Sequence, residues 1–265
     1  MATPPPMPVL WKRGVELKRK QLHQVTYKGR RFPKSAAFLF LYKEKKMSVP
    51  AAYMGVIILW ATTPLAVKWS VDGSSFLFGV TSRMTLGVLL CLLLVWLIRI
   101  EFPWHKAAQR IYLVAGLGIY GAMLSVYWGA QYIPSGLIAV IFGLTPLATG
   151  VMAALWLGEQ ALSPARVAGM VLGIAGLAVI FDAGKQWESS SWMGISAMLV
   201  SVLVHSASGV WVKRLGSSTR LHPIAVNTGA LSFAVPLFLL TWVITDRTIP
   251  ETVTFQAAAS IAYLG

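Results

Sequence analysis

Tyr127-Trp-Gly-Ala-Gln-Tyr-Ile-Pro-Ser-Gly136 leads through Thr145-Pro-Leu147 to Leu157-Gly-Glu-Gln160. The stretch leaves one apolar helix, passes a tight turn at Pro134-Ser135-Gly136, enters a second apolar helix and stops at a lone carboxylate, Glu159. Two consecutive helices this apolar belong in lipid. A bilayer core about 30 Å thick requires about 20 apolar residues per crossing. Backbone amides in that core must be satisfied within their own segment, so each run is a helix.

The same kind of run recurs outward in both directions: Val49–Val67, Phe76–Ile98, Ile111–Gln131, Gly136–Leu157, Ala165–Phe181, Trp192–Val212 and Pro223–Thr245, with an eighth from Phe255 to Gly265. The polar alternation of an outer-membrane barrel is absent. Composition agrees, with 56% hydrophobic residues, 12% charged and a mean hydropathy of +0.66; a soluble domain carries about 25% charged residues. The predicted fold class is all-α, a polytopic membrane helix bundle.

The net charge of +14 invites a nucleic-acid reading, but twelve of the 23 Lys and Arg fall in residues 1–46, against Glu16 and Glu44. Clusters such as Lys18-Arg19-Lys20 and Lys28-Gly29-Arg30-Arg31 suit anionic lipid headgroups, and no aromatic-basic motif points to RNA. Residues 1–46 read as a basic, disordered extension ahead of a membrane protein beginning at Met47, or as a start codon placed too early. Ala36–Tyr42 is too short for a signal peptide and ends in Lys43-Glu44-Lys45-Lys46.

Arg99, Lys106, Arg110, Arg166, Lys213, Arg214 and Arg220 fall in alternate loops, against Lys185 and Arg247 in the others. The positive-inside rule therefore sets the amino terminus in the cytoplasm. Cys91 is the sole cysteine, so no intrachain disulfide can form.

Leu59-Trp60 followed by Val67-Lys68 matches Val204-His205 followed by Val212-Lys213. The copies occupy the first and sixth runs, an odd number apart, and so lie in opposite orientations. Inverted repeats of this kind are how secondary transporters alternate access to a midplane site.

The residues Trp60 to Lys68, Arg83, and above all Tyr127, Ala130, Pro134, Ala139, Pro146, Gly158-Glu159, Leu162-Ser163, Gly169, Gly173 and Gly176 carry a resemblance. The sequence resembles the EamA family of the drug/metabolite transporter superfamily over residues 50–182, and more weakly over 192–265. The resemblance implies two inverted five-helix repeats, the first over 47–182 and a second, incomplete one over 183–265, with about 7–8 of ten helices present. It also implies gradient-driven export of a small metabolite across a bacterial inner membrane, with protons as a possible coupling ion. Gly265 falls mid-helix, so the reading frame is expected to continue; a transport-inactive or partner-dependent fragment is the alternative.

The substrate path is expected to draw on Trp60, Lys68, Arg83, Tyr120, Tyr127, Trp128, His205 and Trp211. Lys68 and Arg83 are the basic groups at depth in the first two runs, where a charge is costly and therefore functional by default. Lys68 can also snorkel from its helix end, and Arg83 can anchor an internal salt bridge instead of a substrate carboxylate. His205 suits proton coupling or sits buried and hydrogen-bonded. No Asp or Glu lies deep in a complete run. The aromatic residues either cage an amphipathic solute or form an interfacial belt.

Pro146 interrupts the fourth run as a hinge or a static bend, with Thr145 satisfying the freed carbonyl. Glu159 is expected to pair with a nearby arginine such as Arg166 or to gate. Gly169, Gly173 and Gly176 form a small-residue stripe for close helix contact within the chain, or for a homodimer; Gly116, Gly118 and Gly121 are expected to serve the bundle core. No HExxH, GxSxG, P-loop, Cys/His cluster or paired intramembrane carboxylate is present, so enzyme chemistry, metal and cofactor are not expected, and the partners are lipid and a small solute rather than nucleic acid.

Overall fold

The computed structural model describes residues 49–71, 75–159, 163–182, 191–217, 219, 221–246, 250 and 253–265. The basic leader and the loop charges Asp72, Lys185, Glu188, Arg220, Arg247 and Glu251 lie outside the described residues. Among those described, the helices are α1 (Val49–Val71), α2 (Phe76–Ile98), α3 (Lys106–Gly129), α4 (Ser135–Phe142), α5 (Thr145–Leu157), α6 (Pro164–Asp182), α7 (Ser191–Gly216), α8 (Pro223–Thr245) and α9 (Phe255–Leu264), and no strand occurs. Six stretches are long and apolar enough to cross a membrane, with α4 and α5 together making one of them. The chain is an all-α integral membrane protein, as expected.

Boundaries follow local chemistry. Ser75 caps α2 by accepting from the Leu77 amide at 3.3 Å. His105 caps α3 through Nδ1, accepting from the Ala108 amide at 3.2 Å. That cap starts α3 five residues before the apolar run, an N-terminal extension hydropathy does not show. Lys213 and Arg214 lie in the last turn of α7, where cations meet the negative helix end.

The fourth run is not one helix. Pro146 has no N–H to give the Phe142 carbonyl, and the chain breaks at Gly143-Leu144, leaving Pro146 in the first turn of α5. The expected role of Thr145 is not met: its Oγ1 is buried with no partner among the described residues. Ser206 of α7 instead reaches the Thr145 carbonyl at 3.4 Å and accepts from Thr149 Oγ1 at 3.0 Å.

Residues 52–265 form one compact unit. Within it α3 is central, packed along α7 and α8; α8 also lies along α2, α4 and α5 lie against α7, and α9 lies against α2. The core is built from Val67, Val80, Met84, Val126, Tyr127, Ile138, Met198, Val202 and Phe238. Leu89, Leu93, Trp96 and Leu97 of α2 face outward, as a lipid-facing surface does.

Glycine makes the α3 contacts possible. A Cβ on Gly116 would stand 2.7 Å from the Ala230 carbonyl oxygen, and one on Gly118 would overlap the Ser208 side chain. The expectation for α3 therefore holds. The stripe on α6 behaves differently: Cβ atoms on Gly169, Gly173 and Gly176 would meet nothing within 4 Å, so no close helix contact forms there among the described residues.

Candidate functional site

Tyr120, Met123, Leu124 and Tyr127 recur at the helical spacing that keeps them on one face of α3. α2 and α8 meet this face, and a polar seam crosses the bundle there. Arg83 of α2 is half-buried. Its Nε donates to the Leu264 carbonyl of α9 at 3.2 Å, and its Nη1 to Tyr127 Oη at 3.4 Å, with Met123 Sδ at 3.9 Å. Tyr127 is fully buried. Among the described residues no carboxylate pairs with Arg83, and Nη2 has no hydrogen-bond partner. The salt-bridge alternative weighed for Arg83 is thus not what surrounds it.

A proton count refines the seam. Tyr127 accepts from Arg83, which leaves its own O–H free to donate. Tyr120 Oη lies 2.6 Å from Thr241 Oγ1, and Thr241 spends its single proton on the Leu237 carbonyl at 2.9 Å. Tyr120 is therefore the donor of that pair. Its ring also meets Phe238 edge-on at 4.9 Å. Thr241 in turn lines an open cleft of about 460 Å³ with Phe76, Leu124, Ser125, Trp128 and Ser196. Its walls are apolar with hydroxyls set among them, and Trp128 packs edge-on against Tyr132 at 5.0 Å.

The other expected residues stand apart from this seam. Lys68 donates to the Ala130 carbonyl at 2.7 Å and reaches that of Gln131 at 3.5 Å. It neutralises the carbonyl end of α3 rather than snorkelling. Trp60 is 78% exposed. His205 is exposed and makes no hydrogen bond among the described residues, so neither its burial nor a fixed partner is found. Trp211 lies 6.1 Å from Trp156, and the Arg214 guanidinium sits 5.4 Å above the Trp211 ring.

Glu159 follows Gly158, whose φ of +66° turns the chain out of α5. Its carboxylate pairs with Lys213 of α7 at 2.6 Å. The Arg166 side chain lies outside the description, and the cation met by Glu159 is the lysine. Sequence reading missed one further link: Thr62 Oγ1 gives its proton to the Ile58 carbonyl at 2.8 Å and so accepts from Tyr263 Oη at 2.6 Å, tying α1 to α9.

Comparison with known proteins bears on what such a seam does. The model of the EamA-like transporter family matches residues 48–182. Protein PagO of Salmonella typhimurium is 28% identical over 166 residues, covering 61% of this chain and 54% of that protein. A probable terminal-alkyne amino-acid exporter of Streptantibioticus cattleyicolor is 25% identical, covering 57% and 52%. The uncharacterized transporter YvbV of Bacillus subtilis is 32% identical, covering 61% and 52%. The chain thus spans about half the length of these curated relatives. Among solved structures, a crystal structure with a TM-score of 0.62 at 20% identity covers 79% of this chain and 73% of its own, a likeness of fold alone. Since the family model takes in half of its residues, this chain belongs to the EamA-like transporter family.

Proposed function

We propose that this chain carries the substrate path of a secondary-active exporter of a small carboxylate-bearing metabolite, an amino acid or a related amphipathic compound, in a bacterial inner membrane. One observation carries the reading. Arg83 is a half-buried cation at membrane depth with no carboxylate partner among the described residues and with Nη2 unused. An intramembrane charge is costly and persists where function requires it. A substrate carboxylate would accept from Arg83 Nη2 and from the free O–H of Tyr127, the charge-assisted geometry for which guanidinium is suited. Its apolar body would lie toward Tyr120 and the Trp128 cleft.

The Nε bond to the Leu264 carbonyl ties this site to α9. A carboxylate that draws the guanidinium toward itself would loosen α9 from α2, coupling occupancy to helix movement. The helix contacts support a two-repeat carrier. Exchanging α2 with α8 and α3 with α9 turns the α3–α8 contact into the α9–α2 contact, and both are present. The count of loop Lys and Arg supports a cytoplasmic amino terminus. Among the described residues no Asp or Glu lies within a span, so proton coupling would have to use His205 or helices not among those described. Family membership and relatives named as transporters or exporters support transport over catalysis.

The test is counterflow in proteoliposomes with a panel of amino acids beside their decarboxylated amines. Exchange of an acid but not of its amine is expected. Equal exchange of both, or of neither, would refute the carboxylate reading.

A further inference from the structure

A groove of about 320 Å³ runs along the outside of the α2–α8 seam and shares no lining residue with Arg83 or Tyr127. Phe78, Thr81, Ser82, Thr85, Leu86 and Leu89 of α2 line it together with Leu239 and Trp242 of α8. The rings of Phe78 and Trp242 lie 6.3 Å apart, so the start of α2 meets the end of α8 at one end of the bundle. Trp242 precedes the end of α8 by three residues, and Thr81 follows the start of α2 by five. At about 1.5 Å per residue the indole lies about 5 Å from that end and the hydroxyl about 8 Å, with Leu86 and Leu89 at about 15 and 20 Å. Trp242 and Thr81 therefore lie nearer the membrane surface than Leu86 and Leu89, while Thr85, about 14 Å from that end, is level with Leu86.

Two of these groups are unmet. Thr81 is 5% exposed, and neither its Oγ1 nor Trp242 Nε1 has a hydrogen-bond partner among the described residues, although both atoms are buried. Most buried polar atoms in folded proteins are paired, and each exception calls for an explanation. Both side chains line the groove, and a turn of each side chain is the movement by which an occupant would gain their donors.

We propose that the groove seats one phospholipid of the adjoining leaflet, its ester carbonyls accepting from Thr81 and Trp242 and an acyl chain lying over Leu86 and Leu89. An ester carbonyl accepts and cannot donate, which matches two unmet donors at the depth where glycerol esters lie. The helix of a second copy has already used its backbone carbonyls internally. An ionised solute would find no opposite charge here, since no ionisable side chain lines the groove. The proposal does not rest on the transport reading.

The test compares the whole chain with Thr81→Val, which removes one hydrogen-bonding atom at nearly constant shape, and with the double variant Thr81→Val, Trp242→Phe, which removes both and trims the indole to one ring. Native mass spectrometry of detergent-purified protein, titrated with phosphatidylethanolamine, counts retained lipid. The wild type should hold one lipid that the double variant binds about tenfold more weakly, and Thr81→Val, whose thermal stability without lipid stays the same, should already weaken it. Equal lipid retention in the wild type and the double variant overturns the proposal. So does unchanged retention with an altered monomer–dimer ratio, which would make the groove a contact between copies. Should the double variant not fold, Thr81→Val alone decides the matter by the same readout.

Discussion

Replacement of Arg83 by glutamine separates recognition from architecture, because the two kinds of loss differ in size. In the protein alone, Arg83 makes long hydrogen bonds of 3.2 Å to the Leu264 carbonyl and 3.4 Å to Tyr127 Oη. Bonds from a charged donor contribute about 1.5 kcal/mol each at the lower end of their range, or about 3 kcal/mol for the pair. Against this stands the cost of a charge at membrane depth, about 2.5–3.5 kcal/mol on insertion scales. These terms nearly cancel, so Arg83→Gln should change stability by about 1 kcal/mol or less, a shift of about 2–4 °C in Tm for a chain of this size.

Recognition behaves otherwise. Removing one partner of a desolvated, hydrogen-bonded charge pair costs about 2–5 kcal/mol. Transport efficiency for the carboxylate substrate should therefore fall by about two to three orders of magnitude. Arg83→Lys keeps the charge without the planar fork and should fall between wild type and glutamine. Tyr127→Phe removes the hydroxyl that accepts from Arg83 and would donate to the carboxylate; the lost neutral donor alone is worth about 1 kcal/mol, or about fivefold. The assay is counterflow at matched protein level, with each amino acid beside its decarboxylated amine. Discrimination that survives in Arg83→Gln would falsify the carboxylate role. A collapse of Tm in that variant would show the guanidinium to be structural.

Other outcomes follow from the packing. Gly116→Ala should destabilise by about 1–3 kcal/mol through collision with the Ala230 carbonyl, whereas Gly173→Ala meets open space and should stabilise by about 0.5–1 kcal/mol; thermal unfolding of the two, side by side, checks the contrast. Glu159→Gln removes an ion pair whose side chains are 40% and 61% exposed, so the loss should stay under about 1 kcal/mol and vanish at high salt; a larger, salt-independent loss would argue against a surface pair. Tyr120→Phe should cost about 1 kcal/mol by removing the donor to Thr241, with double-mutant coupling to Thr241→Val as the measurement.

The spans were legible because lipid enforces a length and a composition that packing cannot override. The break at Gly143-Leu144 was half legible: Pro146 announces a missing N–H, but whether the helix bends or parts depends on the neighbour. Ser206 of α7 takes the Thr145 carbonyl, and nothing near Pro146 in the sequence foretells it. The glycine stripes were legible as small residues only. Gly116 and Gly118 on α3 meet α8 and α7, while Gly169, Gly173 and Gly176 on α6 meet nothing within Cβ reach. Spacing records which face of a helix is thin, and tertiary placement decides whether another helix uses it.

The polar atoms show where sequence reading stops and why. Thr62, Thr63, Ser125, Thr228, Ser232 and Thr241 all bond back to a carbonyl four residues earlier in their own helix. That is the default for a hydroxyl in lipid, available at any position along a helix. Function resides in the departures from it. Arg83 was visible as a buried cation, yet its partners lie 40, 44 and 181 residues away on two other helices, and pairing with a carboxylate is what charge alone would predict. Thr81 and Trp242 carried no signal, because an unmet hydroxyl has the same sequence as a satisfied one. In a bundle this apolar, a polar atom that neither bonds to its own helix nor finds a partner across the bundle is the rarest feature. Among the described residues the unmet hydroxyls and indole are those of Thr81, Thr145, Ser201 and Trp242; the two proposals turn on Thr81 and Trp242, which share a groove, and on the unused Nη2 of Arg83.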